Sequence, residues 1–175
     1  FNKGHRLAVP LWDHKGAMRG FRFRWYPKPD EHGKSDPKAK RELKCLVPKG
    51  YTTRGLLMLN QAARQMVNSG QGLSGNIFLT EGEMDYLDLA TRAGNQTAAV
   101  IGYTVGAWQE HGSPGPDTVN DGSRVIIVWD NDEAGIRMRD KIQASFRDRE
   151  GVDVVALTAE QIDSLTGREG APNVH

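Results

Sequence analysis

A single cysteine, Cys45, is all the thiol chemistry that the 175 residues contain. One thiol forms no internal disulfide, and with no CxxC pair there is no thiolate zinc site, so a reducing, cytoplasmic location is expected. Long hydrophobic runs are missing as well. Hydrophobic residues make up 38% of the chain, and no run approaches the ~18 apolar residues of a membrane span, which argues against a membrane partner. The first residues, Phe-Asn-Lys-Gly-His-Arg, show no secretory leader, and the missing start methionine is expected of a fragment of a longer protein. Net charge is nearly absent at +1, but the balance hides a division: residues 1–54 hold 14 Lys/Arg against 5 Asp/Glu, and residues 55–175 hold 9 against 17. A basic front half beside an acidic back half implies a phosphate-binding surface next to a metal-binding one, unless the basic half is simply a solvated face or arm.

What is present is organised around residues 76–94. Residues 77–80 are a short apolar run of the buried-strand kind, Glu81 follows directly, and Gly82 permits a tight turn. Met84, Leu87 and Ala90 then recur at helical spacing, with Gly94 at the expected stop. A carboxylate is thereby delivered to the carboxyl end of a strand, where open α/β sheets place their chemistry. Asp85, four residues on, can lean back toward the same place. A second stretch repeats the design. Residues 124–129 are a stronger buried-strand run ending in Asp130-Asn131-Asp132-Glu133-Ala134-Gly135, followed by a helical stripe through Ile136, Met138, Ile142, Ala144 and Phe146. Oxygen ligands clustered on neighbouring strand ends suit Mg²⁺, typically held by one or two carboxylates, waters and substrate phosphates. Taken singly, Glu81 would pass for an acid at a helix start and Asp130-x-Asp132 for a loop that caps the following helix.

Elsewhere, residues 7–12 and 18–25 predict a hairpin, with Pro10 favouring an edge position for the first strand. In the second, Arg22 and Arg24 alternate with Phe21, Phe23 and Trp25, so period two puts the arginines on one face, open to phosphates, and the aromatics on the other. Residues 27–40 predict a loop, 43–47 a short strand, and 56–67 a helix. The glycine-rich stretch 69–75 has neither the lysine of a P-loop nor a preceding apolar strand, which argues against a nucleotide cradle there. Strands are expected over 97–101 and 152–157, with residues 103–121 a loop over one end of the sheet. The alternation from 76 to 157 predicts an α/β fold with a small, mostly parallel sheet.

The segments Glu81-Gly82-Glu83-Met84-Asp85, Ala98 to Gly102, and Asp130 to Gly135 resemble, in order, the three parts of the toprim signature shared by primases, topoisomerases and related nucleases. Residues 7–12, the turn, Gly20 to Arg24, Lys44 to Lys49 and Gly55-Leu56-Leu57 are similar to the amino-terminal part of a DnaG-type primase core. The sequence around the acidic motifs is closer to bacterial DnaG-type primases and their phage or plasmid relatives than to topoisomerases, which implies a mobile element as a source. The resemblance implies a basic α+β subdomain over 1–72 and a toprim domain over 73–175. It implies that Asp130 and Asp132 hold Mg²⁺ or Mn²⁺, that Glu81 is a ligand or the general acid/base, and that Asp85 supports them. Arg22, Arg24, Lys44 and Lys49 are the candidates for template or nucleotide-phosphate contacts. The implied partners are a single-stranded DNA template, nucleoside triphosphates, and a replicative helicase or fused helicase domain. The implied activity is template-directed primer synthesis. The alternatives are a toprim nuclease or nicking enzyme, and a non-catalytic single-strand-binding module. The chain departs from the family in two ways: no further acidic pair follows the last toprim strand, and there is no zinc ribbon.

Overall fold

The computed structural model describes residues 5–25, 45–93, 98–104, 108 and 115–165. Their backbone is an α/β fold built on one eight-stranded sheet. The strands are β1 (His5–Trp12), β2 (Met18–Trp25), β3 (Cys45–Leu46), β4 (Leu57–Leu59), β5 (Asn76–Glu81), β6 (Ala99–Tyr103), β7 (Arg124–Trp129) and β8 (Asp153–Thr158), in the order β3-β2-β1-β4-β6-β5-β7-β8. Strands β6, β5, β7 and β8 are parallel neighbours, and β4, β1, β2 and β3 extend the β6 edge with antiparallel pairings.

The parallel strands read as unbroken apolar runs because both faces are covered. One face carries Ile77, Leu79, Ala99, Ile101, Val125 and Ile127, packed with Ala63 of helix α1 (Gln61–Ser69) and Ile142 of α3 (Glu133–Ser145). The other carries Val100, Ile126 and Val128 against Tyr86 and Leu89 of α2 (Glu83–Arg92) and Ile162 of α4 (Ala159–Leu165). Burying each such Ile, Leu or Val contributes about 1.5–3 kcal/mol.

The connection β5–α2–β6 steps to one side of β5, while β7–α3–β8 steps to the other side of β7, over the opposite face. The winding therefore reverses between β5 and β7. At such a reversal the loops leaving the two strands part, opening a crevice at their carboxyl ends.

Three local expectations change. Residues 56–67 are not one helix: Leu57–Leu59 form β4, and Asn60 then caps α1, its side-chain oxygen accepting from the Ala63 N–H at 2.9 Å. Strand β1 is flanked on both sides, but it meets β4 only at Trp12↔Leu57, so Pro10 still sits where no second ladder needs an N–H. The arginine face of β2 is not open. Arg22 lies opposite Val9, whose side chain belongs to the core beneath α2, so the arginines point at α2 and Phe21 is the exposed residue.

Candidate active site at the carboxyl ends of β5 and β7

The β5–β7 ladder ends at Thr80↔Val128. One residue further, the two chains deliver Glu81 and Trp129, and Asp130 follows. The crevice is thus bordered on one side by Glu81-Gly82 and on the other by Asp130-Asn131-Asp132. Gly82 adopts φ 90°, a conformation that side chains resist, and this turns the chain from strand into α2 within one residue.

On the β7 side, Asp132 caps α3, its Oδ1 accepting from the Gly135 N–H at 2.8 Å. The second carboxylate oxygen is left over from this bond. Gly135 has a separate reason to be glycine: a Cβ there would collide with the Asp130 backbone carbonyl. The Asp-x-Asp-x-Ala-Gly spacing is therefore a tightly closed turn, drawn in further by the Asp132 N–H donating to the Asp130 carbonyl at 2.8 Å. Asp130 and Asp132 are exposed, and Glu81 is partly buried.

The electrostatics link the three carboxylates. The Glu81 carboxyl is pushed above its ordinary value, first by burial and then by the negative charges of Asp130 and Asp132. Asp85 is partly buried in the first turn of α2, with its Oδ2 facing Gly82. Among the described residues no three acidic, histidine or cysteine side chains converge closely enough to enclose an ion. An all-protein cage is therefore not what these residues form. Two mutually repelling carboxylates on adjacent strand ends fit a hard divalent cation held by one or two oxygens, with waters and substrate phosphates completing its shell.

The aromatic surroundings are unusual in their polar atoms. Tyr103 lies opposite Glu81 in the β5–β6 ladder, and among the described residues its buried hydroxyl has no hydrogen-bond partner, nor has the indole N–H of Trp129. The Arg139 guanidinium stacks 4.5 Å above the Trp129 ring, so this tryptophan packs under α3.

The basic candidates fall in different places. Arg22 and Arg24 both ion-pair with Glu83, Arg24 Nη1 at 2.7 Å from Oε2. Lys49 is exposed in the turn before β4, and Lys44 lies outside the described residues. Glu83 itself is the residue that sequence reasoning passed over. It stands in the motif between two carboxylates that attract attention, yet it is 1% exposed and is the most deeply buried acid described. Cys45 approaches the same carboxylate, Sγ to Oε1 3.5 Å.

A sequence profile of the family described as Toprim-like matches residues 78–165, just over half of the chain. No curated protein matches. Among solved structures, a DNA primase domain from Pseudomonas aeruginosa is similar at a TM-score of 0.50 and 20% identity over 95% of this chain. The likeness is one of fold, and the chain spans 48% of that structure's length. Among the described residues, no helix is long and apolar enough to cross a membrane.

Proposed function

The chain belongs to the Toprim-like family, and from that premise we propose that it is the catalytic core of a DnaG-type DNA primase, joining nucleoside triphosphates on a single-stranded DNA template. The observation that carries this reading is the delivery of Glu81 and Asp130 to the ends of the adjacent strands β5 and β7, where Glu81 comes near enough to Asp130 and Asp132 to feel their charge.

In the proposed reaction a 3′-hydroxyl oxygen attacks the α-phosphorus of the incoming triphosphate. An O–P bond forms, the bond to the β-phosphate oxygen breaks, and pyrophosphate leaves. Glu81 takes the hydroxyl proton. A carboxylate whose pKa is raised is a stronger proton acceptor than an ordinary glutamate, and burial and its neighbours raise this one. Asp130, the free oxygen of Asp132 and, from the α2 side, Asp85 would hold Mg²⁺ or Mn²⁺, which when bound offsets charge on the reacting phosphates and lowers the pKa of the attacking hydroxyl. Lys44, Lys49 and the N–H groups of Arg22 and Arg24 not used by Glu83 are assigned to template or nucleotide phosphates. Five donors per guanidinium leave room for both partners. A helicase, separate or fused, is the proposed associate.

The test is an incorporation assay with labelled nucleoside triphosphates, single-stranded template and Mg²⁺. Short oligomers are expected from the native chain. Asp130→Ala should lower kcat by about 10²-fold or more, as loss of a direct charge-stabilising group does. Shortened DNA without incorporation would replace this reading by a nuclease that uses the same carboxylates. Binding with no turnover, unaffected by Asp130→Ala and Asp132→Ala, would replace it by a single-strand-binding module.

A further inference from the structure

We infer that Glu83 is a positioning residue for the β5/β7 crevice: by gripping Arg22 and Arg24 of β2, it fixes the start of α2 and with it the direction of Glu81. The inference rests on the functional reading above.

The Glu83 side chain is 2% exposed, and both of its oxygens are taken, Oε1 by Arg22 and Oε2 by Arg24 Nη1 at 2.7 Å. The Cys45 thiol adds a third contact at 3.5 Å to Oε1. Burial and the adjacent carboxylate push that thiol up, so it stays a neutral donor. Two half-screened arginines and a thiol, all from β2 and β3, thus converge on the first residue of α2.

A carboxylate in that position is costly to bury unless its charge is met. An apolar residue could pack beside Tyr86 and Leu89 of α2, though it would leave the two arginines without their counter-charge. What an apolar residue would not provide is direction. Glu81 pairs with Tyr103 of β6 on one side, but the β5–β7 ladder stops at Thr80, so its other side has no strand to hold it. The following residue, Gly82, has φ 90° and, standing before α2, has no side chain of its own with which to cap the helix. Glycine leaves the backbone more freedom at that joint than any other residue would. The ion-paired Glu83, two residues from Glu81, supplies the second anchor that the ladder does not.

The lone thiol makes the clamp measurable, since any thiol reagent reports on Cys45 alone. Glu83→Gln keeps the shape and removes the charge. Cys45 should then react faster with Ellman's reagent, and kcat for primer synthesis should fall about 10–100-fold, as loss of a residue that orients a ligand does. KM for nucleotide should stay within about twofold, because ground-state binding is not what is lost. Mn²⁺ affinity, read by electron paramagnetic resonance without nucleotide, should fall alongside, because Asp85, one of the proposed ligands, stands in the same first turn of α2 as Glu83. Glu83→Asp keeps the charge but shortens the reach. It should fold even if the glutamine variant fails to, and show a smaller loss of both kcat and Mn²⁺ affinity. A Glu83→Gln or Glu83→Asp protein with native kcat and native Mn²⁺ affinity overturns the inference, whatever its melting temperature. So does a rise in KM at unchanged kcat, which would assign the arginines to phosphate binding only. If the native chain makes no primers, the functional reading fails and the Mn²⁺ comparison alone decides the positioning role; a native chain that also binds no Mn²⁺ ends both.

Discussion

Glu81 carries a cost that should be visible without any substrate. Its carboxyl is raised above the ordinary 4.5 by burial and by Asp130 and Asp132, so the folded chain holds that proton more tightly than the unfolded one. Stability from this group is therefore fully present below pH 4.5 and is lost as pH climbs through the raised value. Glu81→Gln removes the charge and the penalty together. The divalent-free variant should melt higher than the native chain at pH 7, by less than about 1 kcal/mol because solvent screens a half-exposed carboxylate. The gap should close as pH falls toward 4. Thermal melts with chelator across that range check it, and an unchanged gap at every pH would refute the burial and repulsion assigned to Glu81. The residue was conspicuous in the sequence because an acid follows an apolar run there. Glu83 was not, since its partner Arg24 lies 59 residues earlier in the chain and no periodicity announces such a pairing. A buried acid is read from its counter-charges, and those are set by the tertiary fold.

Among the elements, the two acidic turns were legible because each joins a continuous apolar strand to a helix through small residues. The strand β4 was not. Leu56, Leu57, Met58 and Leu59 satisfy a helical stripe and a doubly buried strand equally well, and the whole of β4 is buried. Asn60 decides the matter in three dimensions: its side chain accepts from Ala63 N–H at 2.9 Å and Val100 N–H at 3.1 Å, and donates to the Ala98 carbonyl at 2.9 Å. It caps α1 and latches it to β6 with one amide group. The faces of β2 were assigned correctly as a pair but the wrong way round, because alternation separates two faces without saying which is inside. The turn at 130–135 carries the sharpest test at this scale. Gly135 is nearly in contact with the Asp130 carbonyl, and an added methyl would force the backbone to move. Gly135→Ala should cost about 1–3 kcal/mol, the usual range for overpacking. It should also weaken Mn²⁺ binding, because the displaced segment is the one bearing Asp130 and Asp132. Calorimetry for stability and paramagnetic resonance for the ion separate the two effects. Native affinity in a destabilised protein would show that the turn's closure does not matter to the site.

For the whole molecule, the question is whether the basic front and acidic back are two bodies or one. The front half, 1–72, and the back half, 73–175, differ in charge and in strand direction, and we propose them as subdomains by that measure. They nevertheless share one sheet and one core. Leu57, Leu59 and Ala63 from the front pack in the same cluster as Ile101, Ile127 and Ile142 from the back, and β4 pairs with β6 along all three of its residues. The Glu83 clamp ties β2 to α2 on the opposite face. Removing residues 1–72 would leave β6 with an unpaired edge and an uncovered apolar face, an arrangement prone to association. The intact chain should therefore unfold in one cooperative transition, with circular dichroism, tryptophan fluorescence and the exposure of Cys45 changing together. The isolated 73–175 fragment should associate or bind a hydrophobic dye instead of melting as a monomer. Separate transitions, with Cys45 exposed well before the parallel sheet melts, would mean that the halves are only leaning on each other. A basic surface held that loosely could not keep the reacting groups aligned at the β5/β7 crevice.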